Sequence, residues 1–134
     1  MSNIFHWPVR VYYEDTDAGG VVFYANYLKF YERARTEMLR AMGFEKDKLI
    51  NDQAVIFVVR SVQLDYLKPA RFNEMLNVTA SLSRVKSASL SFEQTIIRND
   101  ELLNTATIRI ACLDSDNLRP KLIPDALKQA LSYE

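Results

Sequence analysis

The apolar residues Tyr27, Leu28, Tyr31, Ala34, Met38, Leu39 and Met42 fall at helical spacing, and from Ala54 onward the chain switches to period-two alternation. One long amphipathic helix has to bury its stripe, and the surface this chain offers is antiparallel sheet. Asn26 can cap the start of that helix, and Gly43 is the expected left-handed stop. Residues 27–42 would form a rod of about 24 Å at 1.5 Å per residue. Its other side carries Lys29, Glu32, Arg33, Glu37 and Arg40, a solvated face on which Arg33 and Glu37 stand one turn apart.

Ahead of the helix, Phe5, Trp7, Val9, Val11 and Tyr13 alternate with His6, Arg10 and Tyr12, which predicts a first strand ending near Tyr13. The segment 54–67 sets Ile56, Val58, Val62, Leu64 and Tyr66 on one parity before Lys68-Pro69 breaks it. Alternation continues through 75–85, 88–98 and 102–113, with turn-like Asn99-Asp100 joining the last two as a hairpin. Pro124 followed by DALKQAL predicts a short terminal helix. With no repeat, low-complexity tract or linker, residues 1–134 read as one α+β domain, an antiparallel sheet wrapped round a central helix. Periodicity alone does not separate this from other α+β sheets that carry one helix.

Composition removes several kinds of function. Lys+Arg and Asp+Glu number 17 each, so nucleic-acid binding by bulk electrostatics is not expected. There is no apolar run of about 18 residues and no signal-peptide pattern, which makes cytoplasmic the expected location. One His and one Cys cannot build a Cys/His zinc site, so no metal is expected. Cys112 shares the parity of Ala106, Ile108 and Ile110 and is expected in the core, where a thiol is a poor nucleophile. His6 lies in the first alternating segment, far in sequence from any helix start, so a Ser-His-Asp relay is not expected either. Any chemistry falls to carboxylates.

These concentrate in YYEDTDAGGVVFYANY, residues 12–27, where Glu14, Asp15 and Asp17 run into two of the chain's three glycines directly before the helix. The helix start offers backbone N–H groups without intrahelical acceptors and the positive end of the dipole. Gly19 and Gly20 let the backbone take positive φ. A carboxylate facing such donors suits acyl transfer: it attacks a carbonyl or activates water while the N–H groups hold the oxyanion. Asp and Gly are also ordinary turn formers, and an Asp before a helix is often only a cap. Residue chemistry alone leaves both readings open.

The segment YYEDTDAGGVVFYANYLKFYERARTEML resembles the signature of the 4-hydroxybenzoyl-CoA thioesterase family of hotdog-fold proteins, and within it the YbgC branch associated with the Tol-Pal system. WPVRVYYEDTDAGGVV and AVIFVVRSVQLDYLKPAR carry the likeness, which weakens in the later strands. The resemblance implies a hotdog fold, a long helix wrapped by a curved antiparallel sheet of about five strands, in a homodimer or homotetramer. It implies hydrolysis of acyl-CoA in sites between paired subunits, with CoA as part of the substrate and no cofactor.

Carried over by position, Asp17 is the nucleophile or general base, the Tyr24 backbone N–H is the oxyanion donor, and Gly20 allows close backbone approach. Phe57, Val58 and Val59 match a segment lining the acyl pocket, and Arg84, Lys86 and Ser87 lie where relatives touch the CoA nucleotide; for these three a solvated strand end is the alternative. Close YbgC relatives commonly carry His at the position of Tyr24, so any role needing an imidazole does not transfer, whereas a backbone donor does. Glu14 and Asp15 read as solvated or structural. Glu32 is the reserve carboxylate, since some hotdog enzymes draw theirs from the helix, against its plainer reading as a surface ion pair beside Arg33 and Arg35. The alternative function is a non-hydrolytic scaffold for acyl-CoA or acyl carrier protein. A dehydratase would need a catalytic His.

Overall fold

The computed structural model describes residues 3–133. Its elements are β1 (Phe5–Arg10), α1 (Tyr27–Ala41), α2 (Lys46–Gln53), β2 (Val55–Tyr66), β3 (Met75–Val85), β4 (Ser89–Arg98), β5 (Glu101–Asp114) and α3 (Asp125–Tyr133). The five strands form one antiparallel sheet in the order β1-β3-β4-β5-β2, so β1 and β2 are its edges. This is the hotdog arrangement the resemblance implied. Among the described residues no helix is long and apolar enough to cross a membrane.

The sheet curves around α1, whose Phe30, Tyr31, Ala34 and Met38 are buried with Val78, Ala80, Phe92, Ile96 and Ile108. Burying side chains of this size contributes about 1.5–3 kcal/mol each, which makes this stripe the main stabilising contact of the helix. Phe30, absent from the expected stripe, is fully buried, whereas Leu28 is partly exposed. The core also holds polar groups. Tyr31 Oη donates to Asn104 Oδ1 at 2.6 Å, and Gln94 Nε2 donates to the carbonyls of Tyr31 and Thr79 at 3.1 Å each. Cys112 is buried as expected, and burial pushes its thiol pKa up.

Gly43 ends α1 with φ +93°: its N–H reaches Arg40 O while Phe44 N–H reaches Leu39 O, the paired bonds of a Schellman stop. The Asn99–Asp100 hairpin and the helix after Pro124 are present. Four expectations need correction. Strand β1 ends at Arg10, and Tyr13 lies beyond it in a 3-10 turn, 79% exposed. Asn26 makes no cap bond; a 3-10 turn, Tyr24–Asn26, leads straight into α1. The polar helix α2 has no counterpart in the sequence reading because only Leu49 of its residues is buried, leaving no stripe to detect.

The fourth correction concerns β2. A bulge between Val59 and Ser61 shifts its register, so Val59 pairs with Ile110 and Val62 with Ile108. Phe57, Val59, Val62 and Leu64 therefore share a face, and Val58 lies on the other. The alternation that grouped Val58 with Val62 fails at Arg60.

Candidate functional site

The three carboxylates of the loop separate sharply. Asp15 is buried, closing a 3-10 turn in which its Oδ2 accepts the Tyr12 N–H at 2.8 Å. Its carbonyl accepts Phe23 N–H at 3.0 Å and Asn26 Nδ2 at 2.9 Å. Asn26, expected as a cap, is thus a brace between this turn and the helix. Glu14 is exposed, along the same shallow cavity as Arg10 and Arg33. Both match the structural or solvated reading.

Asp17 heads a tight hairpin. Its N–H donates to Val21 O, its carbonyl accepts Gly20 N–H, and Thr16 bridges Val22. One carboxylate oxygen, Oδ1, accepts Gly19 N–H at 2.9 Å, and a Cβ at Gly19 would stand 3.3 Å from it. The other oxygen has no partner among the described residues and stays available. Gly20 has φ +80° and nothing within 4 Å of where a Cβ would sit, so within this chain it is backbone conformation that requires glycine, not close approach. Asp17 lines a cavity of about 430 Å3 with Tyr13, Thr16, Ala18, Gly20 and Phe72.

The helix start lies beyond this hairpin. Tyr24 opens the 3-10 turn, so its N–H has no intrahelical acceptor, and no described residue takes it. Tyr24 is not part of the Asp17 cavity wall. The end of β2 and the connection after it clamp both. Tyr66 Oη donates to Tyr24 O at 2.9 Å, and Ala70 N–H donates to Tyr27 Oη at 3.0 Å. Val22 N–H donates to Ala70 O, and Phe72 N–H to Gly20 O. Arg98 holds this connection from β4, donating to Pro69 O at 3.1 Å and Glu74 Oε1 at 2.9 Å. Tyr66, Phe72 and Arg98 escaped the sequence reading because their contacts cross between segments distant in the chain; the only signal was the likeness of LDYLKPAR.

Of the expected acyl-pocket residues, Phe57 and Val59 border a small cavity between α1 and the sheet, and Val58 does not. Arg84 and Lys86 line a groove of about 550 Å3 on the opposite, outer face of the sheet. Ser87 is outside it, its carbonyl accepting Ile123 N–H. Arg60 and Arg109 join Arg84 and Lys86, and Glu93 is the carboxylate among them. Bulges flank both Arg60 and Arg84. The step of three from Val59 to Val62 was the one sequence signal for the first of them. His6 is exposed beside Asn77, 3.0 Å from its Nδ2, and the described residues hold no cluster of three or more His, Cys, Asp or Glu able to ligate a metal.

Glu32 is exposed and lies 3.8 Å from Lys46, an ion pair from α1 to α2. Its expected neighbour Arg35 is buried, not at the surface.

A family model for the thioesterase-like superfamily matches residues 11–131. The acyl-CoA thioesterase YbgC of Haemophilus influenzae is 44% identical over 133 residues, covering 99% of this chain and 98% of that one. The acyl-CoA thioester hydrolase YbgC of Escherichia coli is 44% identical over 127 residues, 94% of each. Among solved structures, a probable thioesterase from Bartonella henselae matches with TM-score 0.87 and 34% identity, over 91% of this chain and 100% of that one.

Proposed function

The chain belongs to the thioesterase-like superfamily, and from that premise we propose that it hydrolyses acyl-CoA to a free acid and CoA with Asp17 as the working carboxylate. The observation that carries this is the division of labour in the loop: Asp15 is consumed by structure, while Asp17 keeps one oxygen free on a cavity wall. As general base, that oxygen takes a proton from water as the water attacks the thioester carbonyl. The oxyanion forms against the Tyr24 N–H, beside the positive end of α1. Collapse breaks the C–S bond, and the proton passes to the thiolate, which leaves as CoA. As nucleophile, Asp17 would form a mixed anhydride that water then cleaves. No resident cofactor enters either route.

Two features support the rest of the reading. The outer groove with Arg60, Arg84, Lys86 and Arg109 has the charge to receive the CoA phosphates. The edge strand β2 leaves Val59, Val62 and Tyr66 40–50% exposed or slightly more, an apolar edge suited to a second copy that completes the crevice between Asp17 and Tyr24. On this reading the particle is a dimer or tetramer, acting in the cytoplasm.

The test is thiol release over a panel of aliphatic and aromatic acyl-CoA substrates, with calorimetric binding on the same compounds. Hydrolysis that collapses in Asp17→Asn supports the proposal; tight binding without thiol release would replace it with the scaffold reading.

A further inference from the structure

A buried charge in the middle of α1 has no hydrogen-bonded counter-ion among the described residues; the carboxylate of Glu32, one turn earlier, acts on it only through space. Arg35 is 5% exposed, and its Nη1 donates to Gln94 Oε1 at 2.9 Å. Gln94 is neutral and passes the chain of bonds to two backbone carbonyls, so the relay ends without negative charge. Nε is sealed from solvent and has no acceptor among the described residues. Burial draws the guanidinium pKa down to about 10 against the opposing pull of the Glu32 charge, which leaves it cationic at neutral pH. A buried charge of this kind is strongly disfavoured unless paired.

Beside Arg35 lies a cavity of about 70 Å3 between α1 and the sheet. Lys46 of α2 borders it, and burial lowers its pKa too. Phe57, Leu90 and Phe92 supply apolar walls. Glu32 reaches the rim, but it is mostly exposed and makes no hydrogen bond to Arg35. Two cations and the one rim carboxylate of Glu32 thus face a space with room for one small ion or a few waters, and water would leave the excess positive charge in place.

We propose that this cavity is a binding site for one small monovalent anion, a halide or a short carboxylate, held by Arg35 and Lys46. Neither Asp17 nor Tyr24 lines this cavity, although Phe57 and Val59, which the resemblance expected in the acyl pocket, border it. Glu32 acts as the built-in competitor, close enough to repel the ion.

The full-length chain tests this with sodium bromide and sodium formate against sodium gluconate at one ionic strength. Bromide and formate should raise the melting temperature to saturation, whereas the bulkier gluconate should not. Crystals soaked in bromide should show an anomalous peak in the cavity between the Arg35 guanidinium and Lys46 Nζ. Lys46→Met should weaken the midpoint concentration about tenfold, and Glu32→Gln should tighten it several-fold. The wild-type bromide map keeps the test decisive if Arg35→Gln fails to fold. No peak at Arg35, a protein carboxylate seated on Nε, equal stabilisation by gluconate, or a response only in Glu32→Gln would each overturn the site. A peak without any change in melting would mean an adventitious ion only, and would overturn it as well.

Discussion

Asp15 and Asp17 stand two residues apart and inhabit opposite surroundings. Asp15 is buried and spent on a turn that ties the end of β1 to the start of α1. Asp17 is exposed on a hairpin, with one oxygen fixed by Gly19 N–H and the other open to a cavity. The same carboxylate is a brace in one place and, on the proposed reading, a reagent in the other, and the difference lies in what the backbone around it leaves unsatisfied.

Substitutions at the two positions should therefore fail in different ways. Asp17→Asn is expected to lower kcat by about 10²-fold or more, since an amide neither attacks nor takes the proton, with little change in the urea midpoint. Retention of more than about a tenth of wild-type turnover would remove Asp17 from the mechanism. Asp15→Ala reverses the pattern: the part-buried Tyr12 N–H loses its acceptor, and urea titration should record a loss of about 1 kcal/mol or more. An Asp15→Ala protein of native stability would dissolve the contrast.

Two smaller effects sharpen it. Arg60→Ala or Arg109→Ala should raise KM about tenfold for acyl-CoA while leaving the matching acyl-pantetheine thioester unaffected, because only the former carries the nucleotide phosphates. Equal losses on both substrates would move CoA off the outer groove. Tyr66→Phe removes the hydroxyl that holds Tyr24 O and should cost about 0.5–1.5 kcal/mol in stability, with a several-fold fall in kcat where the oxyanion donor loosens.

Much of the architecture was legible because burial imposes its period directly: the stripe of α1, the strands β3 to β5, the hairpin at Asn99–Asp100 and the stop at Gly43 all follow from local pattern. The pattern failed where local signals carry no burial. Helix α2 buries only Leu49, and the β2 bulge inverts parity midway along the strand. Arg35 read as surface because charge predicts exposure; only the facing Gln94 and the curved sheet explain its burial. In the loop, residue chemistry could not separate a turn-forming Asp from a reactive one. The resemblance singled out Asp17, and the geometry supplies the reason Asp15 is otherwise engaged. Arg60 and Arg109 stayed hidden because assigning them to one groove requires the strand register.

The burial of Cys112 has a practical corollary. It is the only sulfhydryl in the chain, and it sits fully enclosed with its ionisation suppressed. A disulfide dye added to the folded enzyme meets no competing protein nucleophile, so the colour that develops counts liberated CoA alone; a slow rise in a substrate-free blank would instead report molecules coming unfolded.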